Sequence, residues 1–361
     1  MSNPEILKKY FKNKKILVTG HTGFKGAWLC QILLFFGARV MGISNSKVSK
    51  VNLYELLNLN KRIIDINYDL SKKNNFEKKI KKFNPHFIFH LAAQSLVIKS
   101  YKDPYHTFQN NINSSLNLLE STKKLKNLKA LIFVTSDKVY DVNKSDKPHT
   151  ETDALGGNDA YSLSKACSEH IFKYYLNSIF KIKKIGAASV RAGNVIGGGD
   201  WSENRIIPDL MRSLNKKNFL LRKPKNIRPW QHVLDCLFGY IVLLIKLSKN
   251  PSKFSGSWNF GYSNKNITTR SLIKEFNKNL IHYKKINIIN FKKQNFQETK
   301  FLKLKTNKTK KKLNYYKSLS VKDMVKFTTS WYLNYFNKNS NVSKFTNSQI
   351  EDYIRKSDLK I

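Results

Sequence analysis

Through the first half of the chain, apolar runs of strand length alternate with longer segments of helical period. KKILVTG (14–20) reads as a short buried strand, and AWLCQILLFFG (27–37) as a helix whose apolar stripe ends at Gly37. ARVMGIS (38–44) and RIIDI (62–66) follow as strands, NNFEKKIKKF (74–83) as a basic helix, and HFIFHLAA (86–93), entered through Pro85, as a strand. Residues 107–125 read as a helix, KALIFVTS (129–136) as a strand, DAYSLSKACSEHIFKYYL (159–176) as a helix and IGAASVRAG (185–193) as a further strand. A β-α-β-α rhythm of this kind predicts an α/β fold built on a doubly wound parallel sheet. From about residue 194 the rhythm breaks into Gly-rich and mixed segments, which predicts a smaller, mixed α/β C-terminal domain. The expected division is 1–193 and 194–361, with a segment near 230–261 returning to the first domain.

At 361 residues, 41% of them hydrophobic, the chain buries a large core and exceeds what one core holds comfortably, in keeping with two domains. Formal net charge is +42, a value that raises nucleic acid or an anionic membrane as partners. The cations are mostly Lys, however, and are spread along the whole chain, whereas phosphate and base readout favours Arg on one face. Lys also rises together with Asn, Ile, Phe and Tyr, the residues of AT-rich codons. No nucleic-acid and no membrane partner is therefore expected, although a diffuse positive field helps to attract a diphosphate. Cys30, Cys167 and Cys236 lie far apart, so neither a disulfide framework nor a metal site is expected. MSNPEILKKYFKNKK lacks the apolar core of a signal peptide, and the run 237–247 is too short to cross a bilayer. A cytoplasmic protein is expected.

VTGHTGFKGAW (18–28) sets Gly20, Gly23 and Gly26 three apart between a strand and a helix. Glycines at this junction permit a tight turn and let backbone N–H groups approach a pyrophosphate at the positive end of the helix. The loop thus predicts a Rossmann-like dinucleotide site in residues 1–193, with His21, Phe24 and Lys25 inside it as further contacts. An acid some 20 positions later ordinarily holds the adenosine ribose; here Ser44 and Asn45 stand at the end of the second strand. Neutral groups still bond a ribose, and no Arg favours a 2′-phosphate, so NAD is expected rather than NADP. Asp69, with Leu70 beside it, follows the third strand as the expected adenine contact.

LIFVTSDKVYD (131–141) runs from an apolar strand into Ser136, Asp137, Lys138 and Tyr140, and YSLSK supplies Tyr161 and Lys165 four apart on one helix face. A lysine ammonium beside a phenol lowers the phenol's proton affinity from about 10 toward neutrality, making it a base for a hydroxyl proton. Tyr161 and Lys165 are expected in those roles.

Together these residues resemble the extended short-chain dehydrogenase/reductase family of nucleotide-sugar enzymes. The resemblance spans residues 14–337 and includes GHTGFKG, NPHFIFHLAAQSLV, TSDKVYD, YxxxK, SVRAGNVIGGGDW, RIIPD, IRPWQHVLD and WNFG. Where the dTDP-glucose and GDP-mannose members carry an Asp-Glu pair, this chain has Asp137-Lys138, and with GNVIGGGDW and RPWQHVLD this is similar to the branch acting on CDP-glucose. The resemblance implies a lyase that removes water across carbons 5 and 6 of the sugar, on the way to the deoxysugars of bacterial surface polysaccharide such as O-antigen. Tyr161 would be the base at carbon 4, Ser136 would bond its oxygen, Asp137 would protonate the leaving hydroxyl and Lys138 would take the carbon 5 proton. Leu91, Ala92 and Ala93 would lie near the nicotinamide ribose, and Gln94, Ser136, Asn194, Arg205 and Arg228 would hold the nucleotide sugar, Arg being suited to bidentate phosphate contacts. It also implies a homodimer through the helices at 107–125 and 161–177. Dehydration of dTDP-glucose or GDP-mannose, and 4-epimerisation using Tyr161 without the acid-base pair, stay open.

Overall fold

The computed structural model describes residues 3–45, 47, 49–73, 76–141, 147–216, 218–261, 267–280, 287–290, 302–337 and 339–361. In chain order the strands are β1 Lys15–Thr19, β2 Arg39–Ser44, β3 Ile64–Asn67, β4 Phe87–His90, β5 Ala130–Val134, β6 Gly186–Ala192, β7 Val195–Ile196, β8 Asn218–Leu221, β9 Gln231–His232, β10 Gly256–Phe260 and β11 Asn287–Asn290. Seven of them form one sheet in the order β10-β6-β5-β4-β1-β2-β3, with every pairing parallel. Two short parallel pairs, β7 with β9 and β8 with β11, lie outside it.

The continuous apolar runs of the central strands follow from burial on both sheet faces. Alternate side chains divide between two cores: Ile16, Val18, Phe87, Phe89 and Ile132 enter one, and Leu17, Ile88, Leu131 and Phe133 the other. Helices Phe24–Phe35 and Val233–Lys249 cover the first face, and helices Pro104–Thr122 and Ala160–Tyr175 the second. The apolar run at 237–247 is thus a core helix. No helix among the described residues is long and apolar enough to cross a membrane.

Caps explain where helices begin. The Asp103 carboxylate accepts the His106 N–H at 3.0 Å and Pro104 takes the first helical position, so this helix starts three residues before the predicted 107. Asp159 likewise accepts the Ser162 N–H at 2.9 Å, which makes Tyr161 the second helical residue. Of the helix predicted at 74–83, residues 76–83 are helical and the first two lie outside the described residues. The polar C-terminus, silent in the sequence reading, forms the helix Val342–Lys356, which buries Ile350, Tyr353 and Ile354.

The strand order reverses between β1 and β4, and outside their carboxyl ends such a sheet leaves a crevice.

Candidate active site

A cavity of about 810 Å³ opens there, lined by Gly20, Gly23, Phe24, Lys25 and Gly26 and reaching Tyr161, Asn194 and Arg228. At its floor the glycines are required by space. Gly20 has φ +71°, and a Cβ on it would lie 2.7 Å from the Ala92 nitrogen. A Cβ on Gly26 would lie 2.2 Å from the Gly20 carbonyl oxygen. Gly23 is the N-cap of helix Phe24–Phe35 and supplies no side-chain cap, so the helix's first N–H groups are left for an anion. This cradle fits the pyrophosphate of a dinucleotide.

Toward the adenosine side the cavity is lined by Ser44, Asp69 and Leu70, with Thr22 and Tyr68, which the sequence reading passed over. Thr22 Oγ1 and Ser44 Oγ are 2.7 Å apart, while Asp69 Oδ1 accepts the Ser71 N–H at 2.9 Å and its hydroxyl at 2.7 Å. Lys25 also lines the cavity; burial lowers its pKa, and Cys236 and Asp137 oppose that shift. His21 departs from expectation. Its ring is fully buried over Gly42, with Nε2 2.9 Å from Asp65 Oδ1, whose other oxygen accepts the Tyr54 hydroxyl. A carboxylate on β3 draws the ring away from the cavity, so its contact is with the protein.

Past Val134 the chain leaves β5 and forms a single 3-10 turn, Asp137–Val139. Ser136 Oγ accepts the Lys138 N–H at 3.2 Å and donates to Asp137 Oδ1 at 3.1 Å. Lys138 Nζ lies 3.3 Å from the same oxygen, while the buried Asp137 Oδ2 has no hydrogen-bond partner among the described residues. The turn thus places one ion pair at the cavity wall and leaves an acceptor that no described residue bonds.

Tyr161 faces this turn. Its pKa is raised, chiefly by burial, against a hydrogen bond with Ser136 and the charge of Lys138. Lys165, expected beside the phenol, lines the same cavity. Lys165 Nζ donates to the Val134 carbonyl at 3.2 Å, and burial, reinforced by Lys25, pulls its pKa down to about 7. An ammonium so desolvated carries its charge only part of the time near neutrality. Lys138 and Arg205 both pull the phenol's pKa down, against its burial.

Leu91, Ala92 and Ala93 line the cavity, with the Leu91 and Ala92 backbone packed against Gly20. Gln94 lines it too, but its side chain is engaged: Nε2 donates to the Leu96 carbonyl and to Thr107 Oγ1, both at 3.1 Å, and Oε1 accepts the Leu96 N–H. It shapes the loop, and the expected substrate contact is not presented. Asn194 also lines the cavity, and its buried Oδ1 has no hydrogen-bond partner among the described residues. Arg205 reaches Ser95 Oγ at 3.4 Å and Asp200 at 3.7 Å, and the buried Arg228 donates to the Ile227 carbonyl at 3.0 Å. The glycine run before Asp200 is tightly held: Trp28 Nε1 donates to the Gly198 carbonyl at 2.9 Å, and a Cβ on Gly198 would lie 2.0 Å from Trp331. Phe219, Leu221, Asn226 and Thr269 also line the cavity, and no local motif marked them. Among the described residues no group of three His, Cys, Asp or Glu side chains could hold a metal ion.

A family model described as GDP-mannose 4,6 dehydratase matches residues 17–328. CDP-glucose 4,6-dehydratase of Salmonella typhimurium is 41% identical over 274 residues, covering 74% of this chain and 76% of that protein. dTDP-D-glucose 4,6-dehydratase of Dictyostelium discoideum is 29% identical over 254 residues, covering 64% of this chain and 56% of that protein. In fold the chain is similar to UDP-glucose 4-epimerase of Thermotoga maritima, solved with UDP-glucose, at a TM-score of 0.76 and 21% identity, over 90% of this chain and 100% of that one. It is also similar to dTDP-glucose 4,6-dehydratase of Bacillus anthracis in complex with NAD, at a TM-score of 0.73 and 22% identity, over 89% of this chain and 96% of that one.

Proposed function

The chain belongs to the GDP-mannose 4,6-dehydratase family, and from that premise we propose that it is an NAD-dependent hydro-lyase converting CDP-glucose to CDP-4-dehydro-6-deoxy-D-glucose. The observation that carries this reading is the Asp137-Lys138 pair, set on one turn beside Tyr161 with a buried carboxylate oxygen left unpartnered. A 4-epimerase needs the tyrosine but no such pair. The choice of cytidine rests on the Salmonella relative.

The glycine loop, Ser44, Asp69, Leu70 and the Leu91 to Ala93 wall would hold NAD, which when bound supplies a hydride acceptor at carbon 4 and a hydride donor at carbon 6. Tyr161 takes the proton of the carbon 4 hydroxyl, with Ser136 holding the oxygen. A ketone at carbon 4 acidifies the hydrogen on carbon 5. Lys138, as the neutral amine, takes that proton, and Asp137, as the acid, gives its own to the carbon 6 hydroxyl, which departs as water. One C–H bond and one C–O bond break, and a carbon-carbon double bond forms. The pair ends as ammonium and carboxylate, the ion pair seen at 3.3 Å. As the hydride returns to carbon 6, the Lys138 ammonium would give a solvent-exchanged proton to carbon 5, and the proton held by Tyr161 would pass through solvent to Asp137, which resets all three groups. Asn194, Arg205 and Arg228 line the part of the cavity where the nucleotide diphosphate would lie.

We further place the enzyme in the cytoplasm, where its three free cysteines stay reduced, as an early enzyme of surface-polysaccharide deoxysugars, a location that cell fractionation checks. A homodimer is supported by the packed helices Pro104–Thr122 and Ala160–Tyr175, which leave Tyr105, Leu116, Leu163 and Tyr174 exposed.

Incubation with NAD and, separately, CDP-glucose, dTDP-glucose, UDP-glucose and GDP-mannose tests the substrate. Mass spectrometry is expected to find loss of one water from CDP-glucose at a rate at least 100-fold above the others. Turnover of another sugar at the faster rate would reassign the nucleotide, and an isomer of unchanged mass would make the protein an epimerase.

A further inference from the structure

Directly behind the catalytic turn lies a charge pair that touches no part of the cavity. Glu169 and Arg191 are both buried, and their contact is bidentate: Arg191 Nε donates to Glu169 Oε1 at 3.0 Å and Nη2 to Oε2 at 2.8 Å. Ser189 Oγ adds a third donor at 2.8 Å. Such a pair costs desolvation that an apolar pair of similar size would not, so stability is a weak reason for its presence.

Its other bonds indicate what it does. Thr135, the residue before Ser136, donates its hydroxyl to Glu169 Oε1 at 2.5 Å. Tyr140, the residue after Val139, accepts Arg191 Nη1 at 3.0 Å on its hydroxyl, and the guanidinium lies 5.0 Å from the centre of its ring. Both shoulders of the turn are therefore fastened to one charge pair. Glu169 belongs to helix Ala160–Tyr175, one turn beyond Lys165 and two beyond Tyr161. We infer that the Glu169–Arg191 pair is the positioning device that fixes Asp137 and Lys138 relative to Tyr161, an inference that rests on the dehydratase reading above. Of the turn's own side chains, Ser136 meets Tyr161, but the bonds of Asp137 and Lys138 close within the turn, so fixing those two residues falls to its shoulders. Misplacement by 1 Å costs about 100-fold in rate.

The double variant Thr135→Val, Tyr140→Phe removes both fastenings with side chains of nearly the same shape and leaves the ion pair intact. Its kcat for loss of water is expected to fall about 100-fold, with KM for CDP-glucose within about threefold of the wild type, a small change on the binding scale. Because Tyr161 and Lys165 stay on their helix, oxidation at carbon 4 is expected to continue, so the absorbance of the reduced nicotinamide accumulates. The apolar exchange Glu169→Met, Arg191→Met is expected to fold, as judged by circular dichroism, and to show the same split. Wild-type kcat in the double variant would overturn the inference, as would equal loss of carbon 4 oxidation and water loss. A wild-type protein that dehydrates no nucleotide sugar would instead sink the dehydratase reading, and the inference with it.

Discussion

Lys165 shows how a single desolvated group links chemistry to stability. Its folded pKa, about 7, lies below the ordinary 10.5, with burial the main cause. Between those values the folded protein binds fewer protons than the unfolded chain, so this group makes stability rise with pH from about 7 to about 10.5. Below pH 7 its cost is fully present. Lys165→Met is therefore expected to melt about 1–3 °C above the wild type at pH 6, with the difference closing toward pH 10 and with activity at least 100-fold down. A Met variant that melts below the wild type at pH 6 would contradict the desolvation account; differential scanning calorimetry decides. At this scale the sequence was legible where residue type and spacing bring groups together, as for Gly20, Gly26, Asp137 and Tyr161, which line one cavity. It misled where direction depends on a distant partner. Asp65 turns His21 inward, and Thr107 and Leu96 occupy Gln94. Glu169 and Arg191 went unnoticed because they meet only when β6 is laid beside the helix Ala160–Tyr175.

Among the elements, the strands were readable because burial on both faces leaves an unbroken apolar run. Helix ends were less so, since caps such as Asp103 decide them. The helix Val342–Lys356 was missed although Thr346, Ile350, Tyr353 and Ile354 recur at helical spacing, because the surrounding residues are mostly polar. The cavity lining at Phe219 and Leu221 depends on β8 pairing with β11, a contact between segments about 70 residues apart that no local pattern announces. Helices Pro104–Thr122 and Ala160–Tyr175 carry the association prediction. Leu116 and Leu163 are each 41% exposed and Tyr174 is 60% exposed. Sedimentation velocity should find a dimer at micromolar concentration and a monomer for Leu163→Arg, in which like charges would oppose each other across the contact. A monomeric wild type, or a variant that remains dimeric, would remove these helices from the interface.

Taken whole, the molecule is a sheet whose order reverses once, with Asp137, Lys138, Tyr161 and the glycine loop lining one cavity. The net charge of +42 says little about the partner because it is dispersed; what matters is the few cations that line the cavity, Lys25, Lys138, Lys165, Arg205 and Arg228 among them. Here the central claim is that one turn holds a paired acid and base and that hydride moves within one sugar. It is tested most directly by running the reaction on CDP-glucose with NAD in heavy water and locating deuterium in the product by NMR and mass spectrometry. The account predicts a product lighter by one water, with one solvent deuterium on carbon 5 and no second one on carbon 6. Unchanged sugar composition, or solvent deuterium in place of the transferred hydride on carbon 6, would contradict it.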